Sequence, residues 1–297
     1  MYFLTLFLFI ISLLSLLNLI TLSLSCISSQ EYVKRLEAQL LQEVESSFIP
    51  ATPMTEQLNM CVKSLGAVVS SFREASAEAI NHLMNQILPR VRSIVNDAVG
   101  QENAAATAFS NLASATPSVV HSYQIRMNYD MAEDAYEIAQ VSEGYMERLC
   151  ANLDELLEPL RTHLLPSLAD QVVLGVLRGA AKRLEMALRR TQCTLLGALC
   201  LDSDYRSLLN FTKDRLSSSE YNSTVGLQKA CVPLARIGQI SMLLNVDDID
   251  DVLDLMSSMK RQNNWDLKLD DVKTFLSLRV DFENHKINEL LRISEIE

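Results

Sequence analysis

A chain of 297 residues is long enough to bury a sizeable core, as one large domain or two modest ones. Its formal net charge of −11 argues against nucleic acid, whose phosphates select Lys and Arg faces, and disfavours a broad electrostatic dock on acidic lipid. Only eight glycines, seven prolines and 6% aromatic residues, in a chain rich in Leu, Ala, Ser and Glu, favour helices around an aliphatic core.

Residues 2 to 29 carry no charge. As a helix, their ~24 mostly apolar residues would extend roughly 36 Å, enough to cross a bilayer. Three readings stay open. Ser23 and Ser25 ahead of Cys26 suit a signal peptide. The length suits a signal anchor, with Lys34 and Arg35 as the first basic pair after it. The third reading is an apolar leader foreign to the domain behind it.

From Glu31 onward the pattern is helix after helix. Val33, Leu36, Leu40 and Val44 share a face, with Glu31 and Arg35 spaced for an i, i+4 pair. Pro50 and Pro53 end that helix, and Thr55 is placed to cap the next. A stripe of Leu58, Val62, Leu65, Val69, Phe72, Ile80, Leu83 and Ile87 runs to Pro89. Residues 101 to 118 read as a loop with a short weak helix.

An acidic helix is expected next, with Ile138, Val141, Tyr145, Leu149, Leu153, Leu156 and Leu160 on one face and Glu133, Glu137, Glu143, Glu147, Asp154 and Glu158 around it. Beyond Pro166 follows its opposite. Leu168, Val172, Val176, Ala180, Leu184 and Ala187 point inward, with Arg178, Lys182, Arg183, Arg189 and Arg190 outside. An antiparallel hairpin with opposed charges is the simplest pairing. Further helices are expected over about 203–217, 223–244, 247–260, 268–279 and 283–293.

The chemistry of catalysis is not written here. The sequence has no Gly-rich phosphate loop, GxSxG elbow or HExxH, and His82, His121, His163 and His285 are isolated. Asp247, Asp248, Asp250 and Asp251 gather four carboxylates, but an EF-hand's Gly and closing Glu are missing, so they read as a helix N-terminus. No catalytic, cofactor or metal residue is assigned. Cys26, Cys61, Cys150, Cys193, Cys200 and Cys231 form no CxxC, and free buried thiols are expected. Cys193 and Cys200 would share a face if one helix carried both. Gly175 and Gly179 suit close helix packing. Two sequons, at Asn210 and Asn222, keep an alternative open: a membrane-anchored or secreted helical protein with glycans and disulfides.

The carboxyl-terminal stretch carries the strongest signal. Arg236 lies in LARIGQISMLLNVDDIDDVLDL, and the sole tryptophan, Trp265, opens WDLKLDDVKTFLSLRVDF, marking a packed terminus. Together with Leu267, Val272, Leu276, Leu278, Arg279, Asp281 and Phe282, this region resembles the carboxyl end of the subunit-four family of the conserved oligomeric Golgi complex. Leu196 to Phe211 is similar to that family's Leu-Gly-Gly-Leu-Gln-Phe-Asp segment, departing at Ala198 and Cys200. The likeness extends over roughly 30 to 297 and is specific from about 195.

The resemblance implies an all-α fold of elongated, stacked helical bundles of the multisubunit tethering complex type. Three parts are expected: residues 1–29 as an apolar leader that is not part of the family pattern, 30–125 as helical rod, and 126–297 as C-terminal bundle. The resemblance also implies a non-enzymatic subunit that supports retrograde vesicle capture and Golgi organisation, peripheral to the Golgi membrane on its cytosolic face. Sister subunits, SNAREs and Sec1/Munc18-type proteins are the implied partners, and the family's amino-terminal coiled-coil region is missing from this chain. Arg236 and Asp271 match a basic and an acidic position of the family and are expected to pair across the bundle. Trp265, Arg279 and Phe282 complete the candidate structural and interaction set.

Overall fold

The computed structural model describes residues 2–47, 53–100 and 127–294, and the expected loop at 101–118 lies outside them. Among the described residues the chain is helical, with isolated β-bridges and no strand. It divides into two compact units: Met1–Ile87 with Thr162–Leu165, and Leu88–Arg161 with Pro166–Glu297.

The first unit holds α1 (Tyr2–Ser47) packed on α2 (Pro53–Lys63), and most of α3 (Leu65–Val99). Val44, Val69, Ala79, Leu83 and Ile87 are buried. Glu31 and Arg35 approach to 3.8 Å on an exposed face. Helix α2 begins at Pro53 rather than at a Thr55 cap, because proline's fixed φ and missing N–H suit a first helical position. Nor does Pro89 end a helix. It sits inside α3, where interior proline costs about 3 kcal/mol, and burial of Val91, Val95 and Ala98 beyond it holds the last turns. Among the described residues no helix is long and apolar enough to cross a membrane. The anchor reading of residues 2 to 29 rests largely on side chains outside those described.

The second unit is built around a central apolar helix. The expected acidic helix is two: α4 (Glu133–Val141) and α5 (Tyr145–His163). Ser142 Oγ donates back to the Ile138 carbonyl at 2.9 Å, and Ser142 turns extended ahead of Gly144. The break leaves Ile138 and Val141 exposed, whereas Tyr145, Leu149, Leu153 and Leu160 are buried.

Helix α6 (Pro166–Leu188) buries Leu168, Val172, Val176, Ala180, Leu184 and Ala187 as its pattern requires. Gly179 lies under α3, where an added Cβ would fall 2.7 Å from Leu88 Cδ2. Two of the charges expected to oppose each other across a hairpin are engaged elsewhere. Asp154 on α5 is held by Arg215 at 2.8 Å, and Arg178 on α6 donates to the Ala230 carbonyl at 2.8 Å. Both of these charges find a partner near a helix end rather than across the pair, because the apolar faces decide which helices meet.

Then come α7 (Leu195–Arg215), a 3₁₀ turn (Ser219–Asn222), α8 (Thr224–Ala230) and α9 (Val232–Leu244). The expected 223–244 helix breaks at Cys231, two residues before Pro233, whose missing N–H and ring cannot continue the preceding turn. Cys193 precedes α7 in an extended segment, so it shares no helix with Cys200. The chain closes with α10 (Asp251–Arg261), α11 (Leu269–Leu276) and α12 (Asn284–Ser294). Helix α9 packs against α6, α7, α8 and α11. Beside the stripe of Leu234, Ile237, Ile240 and Leu244 it also buries Ala235, Gly238, Gln239 and Ser241, so it is enclosed on more than one face, as a core helix is.

The secreted, disulfide-bonded alternative finds no support. All six cysteines are free, and burial pushes the Cys150 and Cys193 thiols up to about 12. Thr212 of the first sequon is fully buried and donates to the Leu208 carbonyl.

Candidate functional site

The expected site residues fall into two charged constructions and one loop, all in the second unit. The first construction joins α6, α9 and α11. Arg236 on α9 donates to Glu185 on α6 through Nε (3.0 Å) and Nη2 (2.6 Å), and to Asp271 on α11 at 3.1 Å. Its Nη1 donates to the Asp266 carbonyl at 2.8 Å. Arg189, one turn beyond Glu185, bridges the same two carboxylates at 2.9 and 2.5 Å. Its guanidinium carbon stands 4.9 Å from the centroid of the buried Phe275 ring.

Two arginines and two carboxylates thus form a closed, charge-balanced ring across three helices. Burial works to raise both acids, but the guanidinium hydrogen bonds outweigh it. Arg236 and Arg189 hold Glu185 below its ordinary range. Arg189, the Lys268 backbone N–H and Arg236 hold Asp271 at about 2. Hydrogen bonding to Glu185, foremost, raises Arg236 above its ordinary value.

The structure therefore brings Arg236 and Asp271 together, and it adds Glu185 and Arg189, which the sequence reading did not single out. Glu185 was hidden on a helix read as apolar inside and basic outside. Its signal was being an acid four residues ahead of Arg189, amid basic neighbours.

Trp265 sits in the loop between α10 and α11, half-buried, with an indole N–H that finds no acceptor among the described residues. Gln239, 2% exposed on α9, clasps the loop on both sides of it. Its amide donates to Asn264 O and Asp266 Oδ2, each at 3.2 Å, and its Oε1 accepts from the Asp266 N–H at 2.9 Å. Asn263 supplies the left-handed residue (φ 55°) that turns the chain out of α10.

Arg279 and Phe282 belong to the second construction. Arg279 is 2% exposed. Its Nη1 donates to the Leu244 and Val246 carbonyls at the end of α9. Its other nitrogens grip Asp281 at 2.8 and 2.6 Å, and Phe282 lies 4.3 Å from its guanidinium carbon. The carbonyls that α9 cannot satisfy itself are thereby capped by a cation, which also favours the negative helix end.

Cys193 connects this corner to a third cluster. It pairs with Leu278 and Val280 on one side, while Thr194 N–H donates to the Tyr129 carbonyl on the other. A Cβ on Gly197 would lie 1.7 Å from that carbonyl oxygen, so the first glycine of the Leu-Gly-Ala-Leu run is required there. Ala198, where the resembled family has a second glycine, fits fully buried. The Tyr129 hydroxyl donates to Asp204 at 2.7 Å and lies 2.6 Å from the Tyr145 hydroxyl. Burial, foremost, with Glu147 nearby, pushes the Asp204 carboxyl up to about 6, and no cation among the described residues offsets it.

The Asp247–Asp251 run opens α10, placing Asp251 and Asp254 in its first turn. The cap residue Asp250 makes no side-chain cap bond; instead its N–H donates to Asp248 Oδ1 at 3.5 Å. Among the described residues no group of three or more His, Cys, Asp or Glu is arranged to hold a metal ion.

The sequence that carries these residues is similar to known proteins. A family model described as "Conserved oligomeric Golgi complex subunit 4, C-terminal" matches residues 19–274. The chain belongs to this family. Curated relatives named "Conserved oligomeric Golgi complex subunit 4" are similar over much of its length. That of Arabidopsis thaliana is 22% identical over 88% of this chain and 30% of its own length. That of Drosophila melanogaster is 24% identical over 88% and 30%. The Homo sapiens relative is 22% identical over 79% and 25%.

The chain therefore spans about a third or less of the subunit-four relatives it matches. Among solved structures, the C-terminal domain of the exocyst subunit Sec6p is similar, with a TM-score of 0.59 and 12% identity, covering 94% of this chain and 58% of that one. The all-α, tethering-type helical bundle is thus shared across complexes. The family match takes in Arg236, Trp265 and Asp271, and it begins within the apolar stretch 2–29. Arg279 and Phe282 lie beyond its end.

Proposed function

We propose that this chain acts as the carboxyl-terminal part of a Golgi vesicle-tethering subunit, working through protein contacts and without catalysis. In this reading it supports retrograde intra-Golgi vesicle capture and Golgi organisation as a peripheral protein on the cytosolic face. Other subunits of the conserved oligomeric Golgi complex are its first partners, with SNAREs and Sec1/Munc18-type proteins at the vesicle side. The carrying observation is the family match over residues 19–274.

The ion ring and the Arg279 corner supply the mechanical side of the reading. They lock α6, α9 and α11 and the loop of Trp265, so that the terminal helices present one fixed surface. Arg236, Asp271, Trp265, Arg279 and Phe282 are positioning residues here, and residues 126–297 act as the terminal bundle.

The tagged full chain, expressed in cells, should recover sister Golgi-complex subunits and localise to the Golgi without resisting carbonate extraction. Arg236→Ala should lower that recovery several-fold, in step with its loss of stability. Recovery of no sister subunit by the folded wild-type chain would refute the reading.

A further inference from the structure

Helix α4 carries apolar side chains that its own fold does not use. None of its residues is buried, and Ile138 and Val141 are 68% and 90% exposed. Spaced i, i+3, they share a face, and with Glu137 and Ser142 they line an open depression. Ser142 also borders a neighbouring pocket of about 180 Å³, whose wall includes Gln140, Glu147, Tyr145 and Asp204. An aliphatic platform and a carboxylate-bearing pocket therefore share a rim.

Between Arg126 and Arg148 the charge along the chain has one sign. From residue 127 to 147 the chain holds Asp130, Glu133, Asp134, Glu137, Glu143 and Glu147, and no Lys or Arg. All six acids are exposed. Inside the pocket, the Asp204 carboxylate is met by the neutral Tyr129 hydroxyl rather than by a cation. This contrasts with the ring at Arg236, where every carboxylate is answered within the fold.

We propose that this face of α4 docks a basic, amphipathic helical segment of another protein, whose aliphatic side chains cover Ile138 and Val141 and whose Lys or Arg enters the pocket toward Asp204. Charge complementarity selects the occupant. The same face of a second copy would set six carboxylates against six, and an anionic lipid surface would be repelled in the same way. The platform supplies the desolvated centre of such an interface and the acids its rim. This inference does not depend on the tethering role.

The test uses the whole chain and a synthetic Leu/Lys amphipathic helical peptide, with a Leu/Glu peptide as control, followed by fluorescence anisotropy at two salt concentrations. The Leu/Lys peptide should bind and weaken with salt, and the Leu/Glu peptide should not bind. Ile138→Asp with Val141→Asp, and separately Glu133→Lys with Glu137→Lys, should each weaken binding by about ten-fold or more, with unchanged circular dichroism. Asp247→Lys with Asp248→Lys, elsewhere on the surface, should change it by less than about two-fold.

Equal loss from the Asp247/Asp248 pair would mean diffuse attraction to an acidic protein and overturn the site, as would insensitivity to the Ile138/Val141 pair. Wild-type binding by Asp204→Asn would overturn entry of a cation into the pocket. Self-association in sedimentation that disappears with Ile138→Asp would give the face to a second copy, whose α6 is basic. Tighter peptide binding after deletion of residues 101–126 would give it to this chain's own segment. Either result overturns the proposal.

Discussion

Asp271 and Asp204 are both carboxylates on helices of the second unit, and both are hydrogen-bonded, yet they are displaced in opposite directions. Asp271 is held at about 2, and Asp204 is pushed to about 6. Burial raises both, so burial alone does not separate them. The partner does: two guanidinium groups and a backbone N–H surround Asp271, whereas Asp204 has tyrosine hydroxyls and a neighbouring Glu147. A buried acid with a cation stabilises the fold at neutral pH. One without a cation stores a cost that an incoming cation or proton relieves.

The largest expected effect comes from breaking the cationic side. Arg236→Ala leaves Glu185 and Asp271 with Arg189 alone, and should lower the unfolding free energy of the second unit by about 2–3 kcal/mol. Urea titration followed by Trp265 fluorescence measures it, because the sole tryptophan sits in the loop that Arg236 holds. Arg236→Lys should recover little, since one ammonium cannot span two acids and the Asp266 carbonyl as the planar fork does.

A smaller loss should come from acid. Asp271 is depressed, so its contribution is complete above the ordinary value of 3.8 and disappears as pH falls toward about 2. Lowering the pH through that window should remove about 1–2 kcal/mol from wild type and less from Arg236→Ala. An equal acid slope in both proteins would detach Asp271 from the ring.

These two clusters were not equally legible. Arg236 and Asp271 stood out because each lies in a run that a family resemblance had already aligned. Glu185 and Arg189 did not, because helix periodicity sorts residues into inside and outside and has no place for a charge at the seam of three helices. The apolar face of α6 followed from spacing alone. The breaks at Ser142–Gly144 and at Cys231 were written in small residues and proline, but the apolar ladder ran across them and prevailed in the reading. Pro89 erred the other way, since a breaker's local cost was outweighed by burial of Val91 and Val95 that no local window contains. The meeting of Tyr129 and Asp204 with Tyr145 was invisible. Their contacts span 16 and 75 residues, and only the pairing of Cys193 and Thr194 with their neighbours brings the Tyr129 segment beside α7.

The smallest effect tests the other side of the comparison, and its sign is opposite. Asp204 has a folded-state value near 6, above its ordinary 3.8, so the folded chain binds a proton that the unfolded chain releases between those values. The second unit should therefore gain about 1 kcal/mol from this group as pH falls from 7 to 5, a window in which Asp271 stays ionised. Asp204→Asn keeps an acceptor for the Tyr129 hydroxyl and removes the titration. It should be as stable as wild type or slightly more so at pH 7, and flat where wild type rises. Paired urea titrations of the two proteins at pH 7, 6 and 5 decide the matter. If wild type and Asp204→Asn run parallel, the tyrosine hydroxyls compensate burial as well as the arginines do, and the contrast between the two acids collapses.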